Sequence, residues 1–157
     1  MKSIVNISGQ ENLPTGFSKL VELSLGEGFN FVEKMQSEWI SGKNRFNYKG
    51  EICYALFSDN ILVAVCGLNI DPYINEANVG RIRHLYVHPD FRRKGFGETL
   101  VKKILDEGKI RFKVIRLRTN SSNASNFYCS IGFSKQIGDE YSTHTWHENN
   151  CNQRGAL

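Results

Sequence analysis

The 157 residues carry 20 Lys and Arg against 16 Asp and Glu, a formal charge of +4, and are 40% hydrophobic and 23% charged. With ten Phe, six Tyr and two Trp to fill a core, that balance excludes a disordered or low-complexity chain and suits one domain of ordinary size. The longest apolar run, Ile61 to Leu68, is too short to cross a bilayer, which takes about 20 residues.

In chain order, a short strand opens at Lys2; the terminus turns polar after Ile4 and Val5 and has no secretory hydrophobic region, so a cytoplasmic location is expected. Two amphipathic helices follow, one on Leu13, Phe17, Leu20 and Val21 after Pro14, the next on Val32, Met35, Trp39 and Ile40. Glu51 to Ser58 and Ile61 to Ile70 read as a hairpin through the Asp59-Asn60 turn. A third strand is predicted over about Val79 to His88. From Gly95 to Gly108 the period changes: Gly97, Leu100, Val101, Ile104, Leu105 and Gly108 make the stripe of a helix packed on a sheet, with Gly108 as its stop. Val114 to Arg118 is a short strand, and Ala124, Phe127, Tyr128 and Ile131 mark a helix ended by Gly132. Phe133 to Ile137 and Glu140 to Trp146 read as a closing hairpin through Gly138-Asp139. The order is α/β, a mixed sheet with helices on its faces, in a single domain over 1–147 with a frayed polar tail over 148–157. Cys53, Cys66, Cys129 and Cys151 are scattered singly, without a C-x-x-C pair, and read as buried thiols; Cys129 as a nucleophile is the rarer role.

The densest chemistry lies in Val87-His88-Pro89-Asp90-Phe91-Arg92-Arg93-Lys94-Gly95-Phe96-Gly97, where a strand runs directly into a helix. Pro89 lacks an amide hydrogen and ends the strand, while Gly95 and Gly97 let the backbone turn and approach a ligand without a Cβ in the way. The unpaired N–H groups and positive dipole end of the next helix favour a phosphate oxygen, and Arg92, Arg93 and Lys94 add cations. A nucleotide P-loop would need a lysine after its second glycine, but Glu98 and Thr99 follow Gly97; a dinucleotide fingerprint would need a third glycine, where Leu100 stands. The basic stretch Arg81 to Lys94 suits a local anion site better than a nucleic-acid stripe.

Arg92-x-x-Gly95-x-Gly97, preceded by Leu85-Tyr86-Val87-His88-Pro89 and followed by Asn123-Ala124-x-x-Phe127-Tyr128-x-x-x-Gly132-Phe133, resembles the GCN5-related N-acetyltransferase (GNAT) superfamily. The resemblance implies a mixed, mostly antiparallel twisted sheet of about seven strands with about four helices on its faces. It also implies direct transfer of the acetyl group from acetyl-CoA, as co-substrate, to a primary amine in a ternary complex. On this pattern the segment Arg92, Arg93, Lys94, Gly95, Phe96, Gly97 and Glu98 cradles the pyrophosphate with backbone amides. Leu85, Tyr86 and Val87 pair with the pantetheine arm beside a bulge in their strand, and a backbone N–H near Leu85 polarises the thioester carbonyl. Asn123 bonds the pantetheine amides, and Tyr128 sits near the sulfur as general acid.

The general base departs from the family pattern. Arg81 stands where relatives carry a glutamate, and an arginine does not accept a proton at neutral pH. His84, Glu38, Asp139, Glu140 and His144 are the candidates, although His84 is equally placed to pack beneath a helix. Arg81 and Arg83 are expected to solvate the strand edge, with orientation of an acidic acceptor group as the other reading. Trp39, Phe46, Tyr48, Tyr73, Tyr141, His144 and Trp146 could line the acceptor pocket, with plain core as their commoner role.

The expected partners are acetyl-CoA and an amine, with no metal, nucleic acid or membrane, and with a homodimer left open. The rival readings are a CoA-binding sensor of the same fold that has lost transfer and, supported only by the basic cluster, a nucleic-acid-binding domain.

Overall fold

The computed structural model describes residues 1–148; the polar tail beyond them, with Cys151, lies outside the described residues. A seven-stranded sheet runs in the order β1-β2-β3-β4-β5-β7-β6. Its strands are β1 (Lys2–Asn6), β2 (Ile52–Ser58), β3 (Ile61–Ile70), β4 (Val79–Val87), β5 (Val114–Leu117), β6 (Ser134–Lys135) and β7 (His144–His147). Four helices cover it: α1 (Phe17–Gly26), α2 (Phe31–Ser41), α3 (Phe96–Gly108) and α4 (Ser122–Ile131). Every neighbouring pair is antiparallel except β4 with β5, which the α3 crossover joins in parallel.

The β2–β3 hairpin turns where the sequence predicts, and Asp59 and Asn60 both take positive φ, 49° and 68°, the geometry that matches strand twist. On one face α1 and α2 bury Phe17, Leu20, Val32, Met35 and Trp39 with Phe46, Val65 and Tyr86. On the other, Leu100, Val101, Ile104 and Leu105 of α3 pack with Leu68, Ile82, Ile115 and Tyr128. Ile40, placed by periodicity on the α2 stripe, is exposed, because it points about 100° round the helix from the buried Trp39.

Gly108 is not a left-handed stop. It closes α3 from within, and a Cβ there would come within 2.7 Å of Leu68 Cδ2, so the glycine serves close packing of helix on sheet. The closing hairpin is also shorter than predicted. Residues 139 to 141 turn instead of extending, since Tyr141 N–H donates to the Asp139 side chain and Arg116 holds the same carboxylate. β7 then inserts between β5 and β6. No helix among the described residues is long and apolar enough to cross a membrane.

Candidate functional site

Two irregularities in β4 create the site. Arg83 pairs with Gly67 and Tyr86 with Val65, so His84 and Leu85 together oppose the single residue Cys66, a β-bulge with His84 at φ 69°. A left-handed non-glycine residue is strained by roughly 1–2 kcal/mol and persists only where its surroundings dictate it. The surroundings here are rings: His84 stacks on Phe31 of α2 at 6.2 Å and meets Phe46 edge-on at 6.4 Å. Phe46 in turn packs directly against Gly67, where a Cβ would be 2.3 Å from its Cε1. An isolated glycine inside a strand pattern is the sequence signal for such a close approach.

The second irregularity is a splay. The parallel ladder between β4 and β5 runs Val79, Gly80, Arg81 and stops, so among the described residues the β5 side of β4 has no strand partner from Ile82 onward. Leu85 and Val87 border the α3/α4 core while Tyr86 turns to the α1/α2 core, so the side of β4 beyond the β5 ladder runs from the bulge toward the start of α3.

At that start, a turn over Pro89–Phe91 feeds Arg93 and Gly95, both left-handed at φ 62° and 81°. The first-turn amides of Phe96, Gly97 and Glu98 have no backbone acceptor among the described residues, whereas Thr99 N–H already reaches Gly95 O. A Cβ on Gly97 would make ordinary packing contacts, 3.5 Å from Val87 Cγ2 and 3.6 Å from Phe127 Cζ, while one on Gly95 would meet nothing within 4 Å. This end therefore fits a diphosphate by donor count and by access.

The three adjacent cations divide. Arg92 is not available as a free charge: its Nη1 and Nη2 each reach a Glu27 oxygen at 2.7 Å, and its Nε donates to Val87 O at 3.0 Å. The Tyr86 hydroxyl donates to the same carboxylate. The Arg92 hydrogen bonds hold the Glu27 carboxyl below its usual range, against burial. Arg93 and Lys94 stay exposed, Lys94 over the Phe91 ring, and supply the positive charge. Val87 thus ends β4 with its carbonyl already engaged on one side.

Tyr128 is buried in α4, edge-on to Phe127 and Phe133, and its hydroxyl has no hydrogen-bond partner among the described residues. Burial raises its pKa, with the Cys66 thiol adding to the rise, and Tyr128 shares the α3/α4 core cluster with Cys66, the residue facing the bulge. Asn123 is exposed on the first turn of α4 with its side chain unengaged among the described residues, Ser121 being the cap that accepts from Ala124 N–H.

The base candidates are corrected by their surroundings. Burial, with Arg83 and Lys34 nearby, pushes the His84 ring down to about 3, so it is neutral and a weak base at neutral pH. Its Nε2 is buried without a partner among the described residues. His144 is buried and engaged at both nitrogens, 2.8 Å from Ser125 Oγ and 2.8 Å from Thr143 Oγ1, tying β7 to α4. Asp139 is paired with Arg116, and its turn hydrogen bond from Tyr141 and the guanidinium hold its carboxyl low. No hydrogen bond or ion pair joins Glu38 or Glu140 to the bulge among the described residues.

Arg81 does not solvate an edge. It is buried, 3.5 Å from Asp71, which also takes Arg116 Nε at 2.9 Å, and it lies under the Tyr73 ring at 4.8 Å. Tyr73 stacks on Tyr141 at 4.3 Å over this network. The expected aromatic wall therefore separates: Trp39, Phe46 and Trp146 are core, Tyr48 is exposed beside Glu51, and the Tyr73–Tyr141 pair covers Arg81. Phe29, Phe31, Lys34 and Glu27 are the residues that the sequence does not foresee here. Cys53 and Cys66 are buried thiols as expected, and Cys129 is half-buried.

The family model for the acetyltransferase (GNAT) family matches residues 19–133. A structure from Exiguobacterium sp. 255-15 with a provisional acetyltransferase assignment is 26% identical, covers 98% of each chain and superposes with a TM-score of 0.84. The PaiA N-acetyltransferase of Thermoplasma acidophilum, solved in complex with coenzyme A, is 20% identical over 94% of this chain and 99% of its own, with a TM-score of 0.64.

Proposed function

The chain belongs to the acetyltransferase (GNAT) family, and on that premise we propose that it transfers the acetyl group of acetyl-CoA directly to a primary amine. The observation that carries the reading is the continuity of the free side of β4 with the start of α3. β4 leaves β5 after Arg81, and its free side leads past Leu85 and Val87 to the unpaired amides of Phe96, Gly97 and Glu98. A bound acetyl-CoA supplies the activated acyl group; the remaining chemistry belongs to the protein.

In this reading the α3 amides with Arg93 and Lys94 hold the diphosphate, and Glu27 through Arg92 fixes the loop that presents them. The free side of β4 and the Asn123 amide hold the pantetheine. The strained bulge aims the Leu85 N–H at the carbonyl oxygen where negative charge develops. As the new N–C bond forms and the C–S bond breaks, Tyr128 gives its hydroxyl proton to the departing sulfur and regains one from solvent. The proton lost by the amine leaves through water, because His84 stays neutral and Asp71 and Asp139 are engaged by arginines. Free thiols at Cys53, Cys66 and Cys129 suit a reducing, cytoplasmic setting.

Calorimetry with CoA and thiol release from acetyl-CoA across an amine panel test this reading. Binding together with amine-dependent release is expected. Absence of CoA binding at millimolar ligand would overturn it. Binding without release on any amine would favour a CoA sensor of the same fold, a reading motivated by the arginine at position 81.

A further inference from the structure

Positive charge is unbalanced on the side of the bulge that faces α2. Arg81 and Arg116 are matched by Asp71 and Asp139. Arg83 and Lys34 are not: both act on the His84 ring, Arg83 also acts on Arg81, and no ion pair joins either to a carboxylate among the described residues. Arg83 is half-buried, beside the buried Arg81 network on the same strand. Beside these cations stand exposed Phe29 and half-buried Phe31, 5.8 Å apart, with the orphaned Nε2 of His84 behind them. The donor groove lies on the opposite side, along Leu85, Val87 and α4. An acceptor that meets the bulge from the α2 side therefore passes between phenyl rings and two unpaired cations.

We propose that the acceptor is an amine bearing its own carboxylate, and that Arg83, with Lys34 beside it, recognises that carboxylate. The inference rests on the acetyltransferase reading and names its substrate class. A guanidinium takes a carboxylate through two parallel hydrogen bonds, which fixes direction as well as charge and so points the amine at the bulge. A diamine would bring a second ammonium against two cations, a repulsive element that discriminates against it. The same field favours the neutral, attacking form of the amine, which matters where His84 is neutral and Asp71 and Asp139 are held by arginines.

The test uses the full chain with matched primary amines, amino acids and short peptides against their carboxamides, together with 2-aminoethylphosphonate and putrescine. Thiol release is read as kcat/KM. The carboxylate member of each active pair should be preferred by at least about tenfold. Arg83→Gln should shrink that ratio to within about threefold while calorimetry shows unchanged acetyl-CoA affinity, and Arg83→Lys should restore part of it. Carboxamides or putrescine used as well as carboxylates, a tenfold preference for the phosphonate, or an unchanged ratio in Arg83→Gln would each overturn the inference and leave the acetyltransferase standing. Acetyl-CoA binding without turnover on any amine would instead overturn the acetyltransferase reading, and the inference with it.

Discussion

Arg92 and Glu27 stand 65 residues apart in the chain and meet in a two-point ion pair, each guanidinium Nη 2.7 Å from a different carboxylate oxygen. The pair joins the end of α1 to the loop before α3, and the Tyr86 hydroxyl completes it from β4. The first arginine of the Arg-x-x-Gly-x-Gly motif is thus a strut, and its charge is already matched before any phosphate arrives.

Glu27→Gln should therefore loosen the loop more than the fold. The side chains are 40% and 28% exposed, so solvent screening limits the loss to about 1 kcal/mol of unfolding free energy in urea titrations. The acetyl-CoA KM should rise by about threefold to fivefold with kcat unchanged. An unchanged KM would show that the strut does not position the loop.

Gly97 separates packing from access. Its added Cβ would make only ordinary contacts with Val87 and Phe127, so Gly97→Ala should fold with equal or slightly higher stability, helix propensity favouring alanine by up to about 1 kcal/mol. Gly97→Trp should fill the groove and weaken CoA binding by at least about tenfold in calorimetry. Equal CoA affinity in the two variants would remove α3 from the donor site.

Tyr128→Phe should lower kcat by about a hundredfold, the usual scale of a lost general acid, with unchanged CoA affinity. Its hydroxyl has no partner among the described residues, so thermal stability should hold as well. Because burial and then the Cys66 thiol raise the phenol pKa, the hydroxyl stays protonated throughout the neutral range and adds no basic limb to the pH–rate profile. Full activity in the variant would exclude Tyr128 from the proton transfer.

His84 ties stability to pH in a defined direction. Its folded pKa, about 3, lies below the 6.5 of an unperturbed histidine, so between those values the unfolded chain binds more protons. The histidine's contribution is intact above pH 6.5 and is lost as pH falls toward 3, by at most about 5 kcal/mol. His84→Phe should flatten the urea-midpoint profile across that window, with His144, also depressed by burial, and the lowered carboxyls of Glu27 and Asp139 at its acid end supplying the remaining slope. In kinetics, His84→Gln should leave any limb near pH 7 in place, since a ring neutral down to pH 3 cannot be its source.

The α3 stripe, the Asp59-Asn60 hairpin and the strand-to-helix run ending at Gly97 were legible because each depends on residues within one or two turns of one another. Gly67 was legible in principle, as a lone glycine in a strand. The role of Gly108 was not, because the atom that excludes a Cβ there belongs to Leu68, 40 positions away in the chain. The short β6–β7 pairing was hidden for a similar reason: the Arg116–Asp139 contact that bends the connection is tertiary.

Periodicity and the glycine spacing around the start of α3 were enough for the layers, the strand-to-helix turn and a reading as a phosphate site; the acyl donor followed only from the resemblance to the GNAT family. Only the folded chain decided which charges are free. Arg81 and Arg92 look like Arg83 and Arg93 when read in one dimension; Asp71 and Glu27 match the first two across the fold, and no acid reaches the others among the described residues. The same holds for His84, whose ring loses its basicity through burial and two cations brought together by the bulge and α2. Coulomb energies and desolvation depend on distance through space, and that distance is what folding sets.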